Sequence, residues 1–132
     1  MSIESTRKVI ENYLGSDHAG AEQLASDVVF TIMGTGQEHK GPEAVMGMLH
    51  YFYQVAFEAR AEQRNLIVGE NQAVLEFDFV GKHTGEFAGI PATGKNVRVP
   101  TCVIYDVEGD KIKRARVYME MPVMLQQLGV SL

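Results

Sequence analysis

The chain has 132 residues, of which 45% are hydrophobic and 22% charged, the balance of one globular domain with its own core and not of a disordered chain. Twelve basic against seventeen acidic side chains leave a net charge of -5, a field that opposes polyanions and argues against a nucleic-acid partner. One cysteine, Cys102, allows no internal disulfide, and no apolar run reaches membrane-spanning length, so the sequence reads as a cytoplasmic domain with no membrane partner.

In chain order, Ile3, Val9, Ile10, Tyr13 and Leu14 fall at helical spacing ahead of Gly15 and predict a helix over residues 3–14. A second, shorter helix is expected over residues 17–25, weakened by Gly20. Residues 28–33 are apolar and β-branched and end in Gly34-Thr35-Gly36, a strand closed by a turn. Gly41-Pro42-Glu43 then opens the strongest helix, whose stripe is Val45, Met48, Leu49, Phe52 and Ala56, widened by Met46, Tyr53 and Phe57.

From Ala61 the period changes to two, with strands expected over 66–68, 73–80, 97–105 and 111–121. Gly69-Glu70-Asn71, the glycine-rich stretch from Gly85 to Gly94, and Glu108-Gly109-Asp110 separate them. Met124, Leu125 and Leu128 close the chain as a short helix stopped by Gly129. Helices followed by a meander of strands imply an α+β domain with a sheet wrapped around helices.

Gly89-Ile-Pro-Ala-Thr-Gly94-Lys95-Asn96 nearly spells a phosphate-binding loop. Asn96 replaces the hydroxyl residue that would hold magnesium, and Val97, Val99, Thr101 and Val103 continue as a strand where that loop needs a helix. His18, His39, His50 and His83 lack metal-ligand spacing, so no metal is expected. The helical stripe places His50 toward solvent, whereas His83, where a strand meets the glycine-rich loop, is a candidate for a cavity mouth. Cys102 lies in a β-branched run and reads as core, with no nucleophile elbow anywhere. Pro100 removes a ladder donor, so its strand is locally an edge or bulged. Lys111, Lys113, Arg114 and Arg116 read as a solvated strand end.

The carboxylates alternate with apolar residues. Glu76 and Asp78 point away from Leu75, Phe77 and Phe79, and on the last strand Arg114, Arg116, Tyr118 and Glu120 share the face opposite Ala115, Val117, Met119 and Met121. Alternation alone leaves open which face lines a pocket.

Three ordered motifs resemble the SnoaL-like polyketide cyclase (ester cyclase) family: Gly81-x-His83-x-Gly85-Glu86-Phe87-x-Gly89-Ile90-Pro91-Ala92-Thr93-Gly94-Lys95, then Lys111-Ile112-x-x-x-Arg116-x-Tyr118-x-Glu120, then Leu125-x-Gln127-Leu128-Gly129. The resemblance runs from Gly41 to Gly129. It implies a nuclear-transport-factor-two-like cone, a curved mixed sheet wrapped around three helices with a deep apolar pocket, in a homodimer. It also implies an acidic residue, usually aspartate, at the position of Glu120 as acid and base in an intramolecular aldol closure.

On that reading the chain is a cyclase or isomerase without cofactor that acts on a small apolar or polycyclic carbonyl compound. Glu120 and Asp78 are the catalytic candidates, and Tyr13, His83, Arg116 and Tyr118 the substrate-binding ones; a carboxylate in an apolar pocket is pushed toward neutrality and can shuttle a proton. An epoxide hydrolase of the limonene-epoxide type, using Asp78 with Glu76 and Arg98, is one alternative. A non-catalytic ligand-binding or dimerising scaffold is the other.

Overall fold

The computed structural model describes residues 2–15 and 21–130. Helix α1 (Ile3–Gly15) starts at Ser2, whose side-chain oxygen accepts the Ser5 N–H at 3.0 Å, and it buries Thr6, Val9, Ile10 and Tyr13 along one stripe. The Thr6 hydroxyl accepts the Asn71 N–H at 3.1 Å and so ties this helix to a distant hairpin turn.

The helix expected over 17–25 needs correction. Residues 16–20 lie outside the described residues, Ala21–Gln23 make one 3-10 turn, and Leu24 already begins strand β1 (Leu24–Ile32). Leu24, Val28 and Phe30 all enter the core there, and burial against the sheet outweighs a weak local helical preference. Strand β2 (Gln37–Lys40) is polar throughout and carried no periodic signal.

Helix α2 (Pro42–His50) follows Gly41, whose φ of 88 suits glycine, and it continues as a π-helical turn over Tyr51–Val55. The Ala56 N–H closes that turn on the Tyr51 carbonyl at 2.7 Å. Strands β3 (Phe57–Val68), β4 (Gln72–His83), β5 (Asn96–Glu108) and β6 (Lys111–Met119) then form a meander. The strand expected over 66–68 was only the end of β3, because Ala59, Ala61 and Gln63 on one face and Arg60 and Glu62 on the other supply little apolar alternation. Gly109 and Asp110, with φ of 55 and 67, make the tight turn from β5 to β6.

The sheet runs β2-β1-β6-β5-β4-β3, with β1 parallel to β6 and every other neighbour antiparallel, a mixed, curved and unclosed sheet. Its inner face carries Ala73, Leu75, Phe77 and Phe79 from β4 and Val97, Val99, Thr101, Val103 and Tyr105 from β5, all buried beneath the helices. Cys102, expected in the core, is instead half-buried on the outer face, since it has the opposite parity to Thr101 and Val103.

The last strand stops at Met119, short of the expected residue 121, and Glu120 precedes helix α3 (Met121–Gln127). Upstream of Thr101, β5 therefore has no β6 partner, as the missing donor of Pro100 requires. Gln127 covers that open edge: its amide oxygen accepts the Arg98 N–H at 2.8 Å and its NH2 donates to the Arg98 carbonyl at 2.9 Å. Gly129, φ 87, ends the helix.

Candidate functional site

The inner face and the helices enclose a chamber of about 50 Å³. Phe30 and Ile32 from β1, Met48 from α2, Phe52 from the π-helical turn, Phe77 and Phe79 from β4, and Met119 from β6 supply its apolar walls. Its polar atoms come from Tyr13, Tyr53, Tyr105 and Thr101. The Thr101 hydroxyl donates to the Val99 carbonyl at 3.1 Å, and the three phenols are the other polar side-chain groups of the lining.

Tyr13 meets Phe30 at 6.5 Å and Tyr105 at 5.9 Å between ring centroids, the second pair edge to face, so aromatic packing holds the two tyrosine rings. Burial raises the pKa of Tyr105 well above the ordinary phenol value, and it raises those of Tyr13 and Tyr53 as well. All three stay protonated at neutral pH and act as neutral hydrogen-bond donors. The π-helical turn matters here because it presents Phe52 and Tyr53 together; such turns recur at functional sites.

Of the six residues singled out in the sequence, Tyr13 lines this chamber. Asp78, Arg116 and Tyr118 do not, because strand parity places them on the outer face, and neither does Glu120, just past the end of β6; Asp78, Tyr118 and Glu120 border a shallow groove with Glu76, Arg64 and Cys102. Arg116 bonds Asp106 at 3.0 Å, and Lys113 bonds Asp27 at 2.5 Å, so half of the basic strand end is ion-paired.

Asp78 is nearly fully buried although it faces outward. Its Oδ2 accepts from Arg64 at 2.5 Å and from Arg98 at 2.9 Å, and Arg98 also reaches Glu62 at 3.0 Å. The Arg64 hydrogen bond, with help from Arg98 and against the opposing push of desolvation, holds the Asp78 carboxyl at about 2. Two carboxylates bridged by an arginine thus occur, with Glu62 in the place considered for Glu76, on a surface where the Arg98 side chain is half exposed.

His83 is fully buried at the end of β4 but does not border the chamber. Its Nδ1 accepts the Thr93 N–H at 3.1 Å, which in the neutral ring puts the proton on Nε2, and its ring packs on Phe57 at 5.2 Å. Backbone bonds from His83 N–H to the Lys95 carbonyl and from Gly94 N–H to the His83 carbonyl, both 2.9 Å, complete a clamp on the glycine-rich loop. His50 is exposed, as its helical position suggested, and His18 lies outside the described residues. Among the described residues no group of three metal-binding side chains occurs, and no helix is long and apolar enough to cross a membrane.

Residues 11–128 match the family model of the SnoaL-like polyketide cyclases. The chain belongs to the SnoaL-like polyketide cyclase family. Solved structures agree on the fold of this SnoaL-like chain. TsrD from Streptomyces laurentii superposes with a TM-score of 0.81 at 18% identity, covering 99% of this chain and 99% of its own. A protein of a Jannaschia species assigned to the SnoaL-like polyketide cyclases gives 0.81 at 16% identity over 98% and 94% of the two chains. A hypothetical protein of Catenulispora acidiphila with a ketosteroid isomerase-like fold, solved with trimethylamine, gives 0.75 at 14% identity over 96% and 95%. No curated protein matches the sequence.

Sequence reasoning missed Tyr53, Tyr105 and Thr101 as chamber residues. The signal was present: Tyr105 and Thr101 share the parity of Val97, Val99 and Val103, and Tyr53 lies in the apolar stripe of α2.

Proposed function

We propose that this SnoaL-like chain is a small-molecule enzyme of the cyclase or isomerase type that takes the carbonyl end of an apolar substrate into the phenol-lined chamber. The observation that carries this reading is the set of three neutral phenols, those of Tyr13 and Tyr105 buried and that of Tyr53 partly buried, in an otherwise apolar lining. Phenols aimed at a carbonyl oxygen stabilise the negative charge that develops there as it becomes an enolate or alkoxide.

An intramolecular aldol closure suits such a site because it is an isomerisation. The enol carbon of a β-dicarbonyl attacks a second carbonyl carbon, and the enol oxygen becomes a carbonyl. Its proton ends on the new alkoxide, relayed by a phenol, and no external acid or base is consumed. On this reading Glu120 and Asp78, which border the outer groove, do not touch the substrate, and the phenols carry the proton relay. The family resemblance further supports a homodimer, the proposed acid/base chemistry needs no cofactor, and the single cysteine supports a reducing compartment such as the cytoplasm.

The test is conversion of a β-keto ester whose activated carbon is separated by four carbons from a ketone carbon, so that closure gives a six-membered ring, followed as an isomer of unchanged mass. Tyr105→Phe lowers kcat by roughly a hundred-fold to a thousand-fold if its phenol stabilises the oxyanion; an unchanged kcat refutes the assignment. The chamber's small volume favours one second reading, a binding module that holds its ligand without turnover. Binding without conversion in the wild type selects it, and oxygen incorporation from labelled water into an epoxide would instead select the hydrolase chemistry of the Glu62–Arg98–Asp78 set.

A further inference from the structure

The inner face of β3 carries Ala59, Ala61 and Gln63, where the neighbouring strands carry Phe77, Phe79 and Val99. The missing bulk leaves a groove of about 390 Å³ between β3, Leu14 at the end of α1, and the π-helical turn at Tyr53 and Gln54. That volume falls in the range of small-molecule sites, whereas the chamber alone falls well below it. Tyr53 and Phe77 line both spaces, so the two spaces adjoin at these rings.

The groove's polar groups are neutral or balanced. Gln54 and Gln63 present primary amides, while Arg60 at the rim bonds Glu62 at 2.5 Å and has Glu58 beside it. An anionic tail would find the Arg60 charge balanced by Glu62 and Glu58. A neutral tail with amide or hydroxyl groups would find two amides, each able to donate and accept.

We infer that chamber and groove form one bipartite site for an elongated carbonyl compound, whose compact apolar carbonyl end enters the chamber and whose neutral, hydrogen-bonding tail lies along β3 against Gln54 and Gln63. This deepens and rests on the reading of the chamber as a carbonyl site. It also reconciles a chamber of about 50 Å³ with a larger substrate, since only the head has to enter. Gln54 and Gln63 become specificity-determining residues, because a site built to hydrogen-bond a polar group discriminates against ligands that lack it.

The experiment titrates the full chain with two probes, acetylacetone as a head without a tail and acetoacetyl-N-acetylcysteamine as a similar head with a neutral amide tail. In the wild type the tailed probe binds at least ten-fold tighter. Ala61→Phe, which fills the groove, and Gln63→Leu, an exposed change that removes the amide, each bring the tailed probe to the affinity of acetylacetone and leave acetylacetone itself unchanged. If the wild type binds acetylacetone but shows no preference for the tail, or if Gln63→Leu keeps that preference, the bipartite site is wrong and the chamber reading stands. A wild type that binds neither probe overturns both.

Discussion

Asp78→Asn separates a structural carboxylate from a catalytic one. In the wild type the carboxyl sits at about 2, below the ordinary aspartate value of 3.8, because Arg64 and then Arg98 hydrogen-bond its charged form. That depression is worth about 2 kcal/mol of stability at neutral pH. Removing the charge leaves Arg64 and Arg98 without their shared partner, but both are about half exposed and regain water, so the cost stays near 2 kcal/mol and below the roughly 3–5 kcal/mol of a fully buried pair. For a chain of this length the melting temperature falls by roughly 6–12 °C. The pH dependence carries the sign: a depressed folded pKa stabilises above the unfolded value and loses that contribution as pH falls toward the folded one. Chemical-denaturation midpoints of wild type and variant therefore differ by a constant amount above about pH 5, converge through pH 4 to 3, and meet near pH 2. Acetylacetone binding is unchanged, since Asp78 lies across the sheet from the chamber. A variant within 0.5 kcal/mol of wild type at neutral pH, as an order-of-magnitude threshold, or a gap that widens on acidification, refutes the reasoning.

Two further substitutions probe the frame that holds the site. A side chain at Gly81 would place its Cβ 2.5 Å from the Glu58 carbonyl oxygen and 2.6 Å from the Ala59 Cβ, so Gly81→Ala forces β3 and β4 apart and costs about 1–3 kcal/mol by thermal melting. Gln127→Ala removes both bonds that seal the Arg98 edge of β5; about 1–2 kcal/mol is lost, and hydrogen exchange of the Arg98 amide accelerates more than that of the Val103 amide.

The fold was legible where burial and sequence period agree. The stripe of Val45, Met48 and Phe52 and the alternation through Val97, Val99, Val103 and Tyr105 each report one buried face. It was illegible where a strand is exposed or lines a groove with small or polar residues: Ala59, Ala61 and Gln63 hide most of β3, and Gln37–Lys40 hide β2. The expected helix overran Leu24 and Ala25 because helical spacing over a few residues is weaker than the strand pairing with β6 that begins at Leu24. The site followed the same logic. Parity correctly put Glu76 and Asp78 together, and Tyr118 with Glu120, but deciding which face is enclosed needs the helices in place, and they cover the side bearing Phe77, Phe79 and Tyr105. Asp78 shows why composition is a poor guide, since an outward carboxylate is buried by two arginine side chains and not by the core.

The chain's five tyrosines provide the most direct test of the chamber as the ligand site, because Tyr13, Tyr53 and Tyr105 line it whereas Tyr51 and Tyr118 do not. Protein labelled with carbon-13 at the tyrosine ζ position and titrated with acetylacetone is expected to show saturable shifts at Tyr13, Tyr53 and Tyr105, with Tyr118 unmoved. Shifts confined to Tyr118, which borders the outer groove with Glu120, would place the ligand on the other side of the sheet and contradict the account.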